Sequence, residues 1–283
     1  MEFLKLEGCG NDFVCVDAAA LVGSAHAMLQ SADYAALAQR LCHRHNGIGA
    51  DGLMILAPDA QADAAMIFLN PDGSVSATCG NALRCAALVL AERLGRSTVR
   101  IRSGTEVREC CVLERSGNSA QVRCSMGRVE LERSRIPMLG VPGRVIDERF
   151  EERAAVALRI TALSLGNPHC VVFVDNTEVA ALATLGLAIE TDPRFPQRTN
   201  VEFVQVLSRT RLRQRTWERG VGETAACGSG ACASVVAGVL NGHCERRASV
   251  ELRGGVLGVE WLADHAEVLL TGPARLVFRG AVE

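Results

Sequence analysis

The chain has 283 residues, of which 48% are hydrophobic and 22% charged, enough to bury one large core or two ordinary ones and too apolar for a disordered or collagen-like segment. Thirty basic against 32 acidic residues leave a formal charge of -2, which gives no basic footprint for nucleic acid and no polybasic patch for a membrane, so the expected partner is a small molecule. No apolar run approaches the roughly 20 residues of a membrane span, and Met1-Glu2-Phe3-Leu4-Lys5 does not open a signal peptide; the expected compartment is the cytoplasm.

Hydrophobic patterning predicts an α+β (α/β) chain in which strand-like and helix-like stretches alternate. In chain order, 13–16 reads as a strand, 34–44 as a helix and 53–56 as a strand. Residues 83–94 read as a helix with apolar positions 83, 86, 87, 90, 91 and 94 and Gly95 as C-cap, followed by a strand over 99–101. Pro137, Pro142 and Gly143 amid charges make 130–157 a candidate crossing between two halves. The second half reads as a strand over 170–174, a helix over 179–185, a strand over 201–206, a helix over 231–240 with Gly242 as C-cap, and strands over 256–261 and 268–270. Most of the 12 cysteines lie in apolar runs and are expected to be reduced, buried, small hydrophobes. Lys5 is the sole lysine among 30 basic residues, which argues against a pyridoxal phosphate enzyme because that chemistry needs an active-site lysine.

Two segments recur in the same order. Gly10-Asn11-Asp12-Phe13-Val14-Cys15-Val16-Asp17 is echoed by Gly166-Asn167-Pro168-His169-Cys170-Val171-Val172-Phe173-Val174-Asp175. Cys79-Gly80-Asn81-Ala82-Leu83-Arg84-Cys85-Ala86 is echoed by Cys227-Gly228-Ser229-Gly230-Ala231-Cys232-Ala233, and each copy opens a helix-like run. Asn70 and Glu218 each lie nine residues before the cysteine of their copy. A duplication of this kind predicts two similar halves about a pseudo-two-fold axis, presenting Cys79 and Cys227 to a cleft between them.

Each cysteine would then sit at a helix N-terminus, where unpaired N–H groups and the helix dipole favour the thiolate. The N–H groups of Gly80, Asn81, Gly228 and Ser229 would cradle a carboxylate. A base on one face of a carbon and an acid on the other remove a proton and return one from the opposite side, so the expected reaction class is racemisation or epimerisation.

The stretches Gly8-Cys9-Gly10-Asn11-Asp12-Phe13, Gly47-Ile48-Gly49-Ala50-Asp51-Gly52, Asn70-Pro71-Asp72-Gly73-Ser74, Cys79-Gly80-Asn81, Gly166-Asn167-Pro168-His169, Thr199-Asn200-Val201 and Glu218-Arg219-Gly220-Val221-Gly222-Glu223-Thr224-Ala225-Ala226-Cys227-Gly228-Ser229-Gly230 together resemble the diaminopimelate epimerase family. The resemblance implies a cofactor-independent isomerase, often dimeric, that interconverts LL- and meso-diaminopimelate for lysine and peptidoglycan synthesis, with two similar α/β halves around a cleft. It implies Cys79 and Cys227 as acid and base, assisted by His169 and Glu218. It further implies substrate contacts at Asn11, Asn70, Asn167, Asn200, Glu218 and Arg219, and a carboxylate held at Gly80, Asn81, Gly228 and Ser229. The chain is expected to divide into 1–127, completed by the C-terminal strand 273–283, and 128–272.

Four positions depart from the family pattern. Ala82 replaces a usual glycine, Cys9 a common leucine and Gly52 a substrate-contacting glutamine, and Arg128 stands where an acidic residue is expected. Gly47 to Gly52 fit G-x-G-x-x-G, yet they follow a helix-like segment and precede a strand, the reverse of a dinucleotide fingerprint, so they are expected to form a turn without NAD. No Cys-x2-Cys pair exists and no metal is expected. Two other readings stand beside the epimerase. One is a histidine racemase-like enzyme that keeps both cysteines, and the other is a thiol switch in which Cys79 and Cys227 form a reversible disulfide.

Overall fold

A helix with no broad polar face is stable only when it is surrounded, and two helices of this chain are of that kind. In the computed structural model, which describes residues 1–19, 33–76, 79–150, 158–178 and 180–282, the first eleven residues of Gly228–Leu240 are all buried, as are nearly all the residues of Gly80–Leu94 up to Ala91. The chain divides into two compact units, Met1–Ser125 with Thr271–Glu283, and Met126–Leu270.

In the first unit, Glu2–Gly8 (β1) and Asn11–Asp17 (β2) form an antiparallel pair. Tyr34–Cys42 (α1) is capped by the Asp33 carboxylate, which accepts from the Ala35 and Ala36 N–H groups. Gly52–Ala57 (β3) then lies parallel to β2, and Ala64–Leu69 (β4) antiparallel to β3. Val75–Ser76 (β5) adds to β4 before Gly80–Leu94 (α2), after which Thr98–Ser103 (β6) runs parallel to β4. Glu106–Ser116 (β7) and Ser119–Arg128 (β8) follow as antiparallel neighbours. α2 packs against β1, β2, β3, β4, β6 and β7, and its Leu83, Ala86, Ala87 and Leu90 meet Phe13, Met54, Phe68 and Ile101 in one core. Burying each such Leu or Phe is worth about 1.5–3 kcal/mol.

The second unit repeats this order of pairings. Val145–Phe150 (β9) precedes Leu158–Ser164 (β10), which is antiparallel to Pro168–Phe173 (β11). Leu182–Glu190 (α3) leads to Asn200–Ser208 (β12), parallel to β11, and Arg211–Glu218 (β13) is antiparallel to β12. Gly222–Thr224 (β14) adds to β13 before Gly228–Leu240 (α4). Arg247–Leu252 (β15) then runs parallel to β13, with Gly255–Glu260 (β16) antiparallel to it. α4 packs against β10, β11, β12, β13, β15 and β16, the counterparts of the strands around α2. Its run of Gly, Ser, Ala and Cys keeps the helix thin enough for strands to approach on every side. Glu267–Ala281 (β17) carries the chain back into the first unit, where it pairs with β1.

The chain is therefore mixed α+β, as the patterning predicts, with differences in detail. The segment 130–157 is not only a crossing, since Arg133–Arg135 form a 3-10 turn and β9 pairs with β10; charges at Asp147, Glu148 and Arg149 disguise that strand. Its last residues, 151–157, lie outside the described residues, as does Val179 of the helix expected over 179–185. Both buried helices begin three residues earlier than their apolar periodicity, at Gly80 and Gly228, because burial overrides the weak helix propensity of Gly, Asn and Ser. Gly95 is the left-handed C-cap of α2 as expected, whereas α4 ends on Asn241 and Gly242 takes the left-handed position one residue later. Among the described residues no helix is long and apolar enough to cross a membrane.

Candidate active site

The structure puts both expected cysteines at N-caps. Cys79 precedes α2 in extended backbone (φ -139°, ψ 104°) and is half-buried; Cys227 precedes α4 in the same conformation (φ -120°, ψ 111°) and is buried. Gly80, Asn81, Gly228 and Ser229 form the first turns, where backbone N–H groups lack helical partners.

At the start of α2, after Cys79, the polar groups include the amides of Asn81 and Asn11 and the cation of Arg84. Asn81 Nδ2 donates to Asn11 Oδ1 (2.6 Å), and Asn11 Nδ2 donates to Asp51 Oδ2 (3.1 Å), so two expected residues meet directly. The fully buried Arg84 donates to Asn81 Oδ1 (2.8 Å), Gly80 O (3.4 Å) and Pro273 O (3.2 Å), all uncharged acceptors. Burial pushes the neighbouring Cys85 thiol up to about 12, and the Arg84 charge opposes this. Asn70 stands further off in a turn, donating to Ser74 Oγ (2.9 Å).

Around Cys227 the groups are ionisable. Gly230 N–H donates to the sulfur (3.4 Å) and Ser229 Oγ lies 3.5 Å from it. Asn167 Nδ2 donates to Ser229 Oγ (3.4 Å), while Asn167 Oδ1 is 3.0 Å from His169 Nε2. His169 Nδ1 meets Glu202 Oε1 at 2.8 Å, both residues being fully buried. Burial, then the charges of Glu218 and Glu202, hold the Cys227 thiol well above its usual range despite the Ser229 and Gly230 hydrogen bonds. Desolvation and two carboxylates thus favour the thiol at this sulfur against the pull of the helix dipole, in keeping with one of the two cysteines remaining a thiol acid. Burial also raises the Glu218 carboxyl, which Glu202 reinforces and the Thr224 hydroxyl and His169 oppose.

Asn200 is buried with its amide committed to backbone: Nδ2 donates to Pro168 O (3.0 Å) and Oδ1 accepts from Arg219 N–H (3.0 Å). Arg219 itself is exposed and donates to Gln197 O (3.1 Å). Two buried polar residues escape the sequence reading. Glu202 could have been noticed as a charge interrupting the apolar run Val201-Glu202-Phe203-Val204, and Arg84 as a cation inside an otherwise apolar helix.

The departures from the family pattern have local accounts, with one exception. A Cβ on Gly52 would lie 2.5 Å from the Phe68 ring, so that ring fills the space a glutamine would need. Ala82 is fully buried in the α2 core, and Cys9 takes a left-handed turn (φ 55°) between β1 and β2. Arg128 is exposed and nothing in the structure explains its charge. Gly47 to Asp51 lie in the loop from α1 to β3, and Gly52 opens β3, the helix-then-strand order that the sequence predicts. Lys5 and Arg44 bind Asp12 beside this loop, and Arg44 also binds Asp51. A cavity of about 490 Å³ in the first unit, lined by Phe3, Leu6, Cys15, Leu88, Arg93 and Leu276 among others, includes none of the candidate residues.

A family model described as diaminopimelate epimerase matches residues 3–132 and 161–277. A diaminopimelate epimerase of Pelotomaculum thermopropionicum is 49% identical over 284 residues, covering 99% of this chain and 98% of that protein. One of Desulforudis audaxviator is 47% identical over 285 residues, with 99% and 98% covered. Among solved structures, a hydroxyproline epimerase from Agrobacterium vitis with bound trans-4-hydroxy-L-proline superposes with a TM-score of 0.70 at 17% identity, covering 100% of this chain and 90% of that one. A Bacillus anthracis phenazine biosynthesis protein of the PhzF family gives 0.64 at 13% identity, covering 100% and 99%. At such identities these two likenesses speak for the fold, which hosts different reactions.

Proposed function

The chain belongs to the diaminopimelate epimerase family, and from that premise we propose that it interconverts LL- and meso-diaminopimelate without a cofactor, for lysine and peptidoglycan synthesis, using Cys79 and Cys227 as the proton-transferring pair. The observation that carries this reading is the recurrence of one device in both units: a cysteine at the N-cap of a buried helix whose first turn opens on glycine.

The α-proton of an amino acid is a very weak acid, so its removal needs the resulting charge spread into the carboxylate and met by fixed donors. The first-turn N–H groups at Gly80, Asn81, Gly228 and Ser229 are the donors proposed for that carboxylate. Cys227 starts as the thiol and Cys79 as the base. One sulfur takes the α-proton from one face while the other delivers its own to the opposite face, leaving the centre inverted and the two sulfurs with exchanged protonation. The return reaction starts from that exchanged state. His169 and Glu218 assist at Cys227, and Asn11, Asn70, Asn167, Asn200, Glu218 and Arg219 are proposed to hold the substrate. An arginine suits the distal carboxylate of diaminopimelate, which histidine and proline lack.

A homodimer in the cytoplasm is the proposed working form; the exposed Val277 and Phe278 on β17 favour self-association. Sedimentation at the 30.1 kDa monomer mass would overturn the dimer. The reaction is tested by proton NMR of the reduced protein with LL-diaminopimelate in deuterium oxide, with L-histidine, L-proline and L-lysine in parallel. Loss of the diaminopimelate α-proton with growth of the meso isomer, and silence in the other tubes, is expected. Exchange with another amino acid alone would move the assignment to a different racemase, and silence throughout would refute an epimerase.

A further inference from the structure

Glu202 plays no part in the proton transfer proposed above, yet it is the most confined charge in the second unit. It lies on β12 inside the apolar run Val201-Glu202-Phe203-Val204 and is fully buried. Its Oε1 meets His169 Nδ1 at 2.8 Å, and its Oε2 has no hydrogen-bond partner among the described residues. A carboxylate is not left in such a place without compensation. Glu202 from β12 and Glu218 from β13 face His169, and both carboxylates also act on Cys227 at the start of α4.

The orientation of the Asn167 amide sets the direction in which the remaining contacts are read. Asn167 uses its Nδ2 on Ser229 Oγ at 3.4 Å, which leaves its Oδ1 facing His169 Nε2 at 3.0 Å. Both ring nitrogens of His169 therefore face acceptors, a carboxylate oxygen and an amide oxygen. A ring that donates from both nitrogens carries one positive charge, which offsets Glu202. Ser229 Oγ, having accepted from Asn167, has its hydrogen available for Cys227 Sγ at 3.5 Å. Gly230 makes room for the arrangement, since a Cβ there would stand 2.7 Å from Glu202 Oε1 and 3.2 Å from Cys227 Cβ.

We infer that Glu202 is a positioning residue for Cys227, acting through the hydrogen-bonded chain Glu202, His169, Asn167, Ser229 to keep a hydroxyl donor aimed at the sulfur. The inference rests on the proposed role of Cys227. The chain gives the sulfur its donor at the moment it surrenders a proton, when the new thiolate would otherwise be buried among carboxylates. Without the Glu202 charge the His169 ring has no reason to keep its second hydrogen, Asn167 is free to present either end, and the orientation of Ser229 is lost.

The test is nitrogen NMR of the full-length protein labelled in its histidines, with His169→Gln identifying the signals. In the unsubstituted protein at neutral pH, both His169 nitrogens are expected to carry hydrogen. In Glu202→Gln, which keeps the shape and removes the charge, one nitrogen loses its hydrogen. In the same variant kcat falls about tenfold or more while KM stays within about threefold, because the lost interaction matters when the sulfur ionises. A bare ring nitrogen in the unsubstituted protein overturns the inference, even if the variant fails to fold. An unchanged ring and kcat in a folded Glu202→Gln overturn it equally. The ring is read without substrate, so absence of diaminopimelate turnover would refute the reaction assignment and not the chain.

Discussion

The two units share a topology and differ in what they place at equivalent positions. In the first unit Phe13 pairs with Gly52 across β2 and β3, and Met54 follows two residues later; all three belong to or border the apolar core. In the second unit His169 pairs with Asn200 across β11 and β12, and Glu202 follows two residues later. The same lattice of strands thus holds Phe and Met in one copy and a His–Glu pair in the other. The buried helices also differ, since Arg84 lies five residues beyond Cys79 where α4 has Cys232 five beyond Cys227, and the charges of Glu218 and Glu202 act on Cys227 itself. Matching backbone holds a thiol at each N-cap; carboxylates act on the one before α4, and a buried arginine lies within the helix that follows the other.

The largest expected effect of breaking this comparison comes from the thiols themselves. Replacing Cys79 or Cys227 by Ala should lower kcat by about a thousandfold or more, with Ser leaving a trace, as measured by the growth of meso product. Near-normal turnover in either Ala variant would remove the two-thiol account. Next comes the packing that separates the copies. Gly230→Ala drives a Cβ to 2.7 Å from Glu202 Oε1, and Gly52→Ala drives one to 2.5 Å from the Phe68 ring. Each should cost about 1–3 kcal/mol in denaturant unfolding. Gly230→Ala should also lower kcat, because the groups it displaces surround Cys227.

Thiol reactivity sharpens the contrast further. Burial and carboxylates raise the Cys227 thiol well above its usual range, whereas Cys79 is half-buried, so brief iodoacetamide treatment near neutral pH should label Cys79 ahead of Cys227 in peptide mass spectrometry. Preferential labelling of Cys227 would reverse the assignment of resting base and acid. The smallest effect lies outside the site. Burial raises the Asp12 carboxyl, but hydrogen bonds and charges from Arg44 and Lys5 overcome this and lower it from 3.8 to about 2. A depressed carboxyl contributes stability that is present above pH 3.8 and is lost as pH falls through about 2. The thermal unfolding temperature should therefore fall as pH is lowered across that window, and Asp12→Asn should flatten the dependence.

Much of the site was legible because its parts are short motifs with a repeat to align them. Cys79 and Cys227 stood out as a pair, while Asn167 and His169 lie in the repeated strand entry and were singled out as candidates by the family resemblance. Glu202 and Arg84 did not, since each stands as a single polar letter in an apolar run, and only tertiary structure shows whether such a residue has partners. The core strands β2 and β3 were readable from continuous apolar runs. Strands β7, β9 and β13 were not, because charged residues break up their apolar runs: Glu106, Arg108 and Glu109 in β7, Asp147 to Arg149 in β9, and Arg211, Arg213 and Arg215 in β13. The burial of α2 and α4 on nearly all sides was hidden for a related reason: periodicity implies one apolar face, and small residues on the others look neutral in sequence.

The central claim, that two thiols divide the work of one inversion, is tested most directly by the isotope carried at early turnover in deuterium oxide. LL-diaminopimelate is incubated with the reduced protein, and substrate and meso product are separated after a few per cent conversion. The account predicts deuterium at the inverted α-carbon of the product and none in the recovered LL substrate, because the sulfur that donates is not the one that received. Protium retained at the inverted carbon of the product, or deuterium accumulating in recovered substrate at the same rate, would mean a single group performs both transfers and would contradict the account.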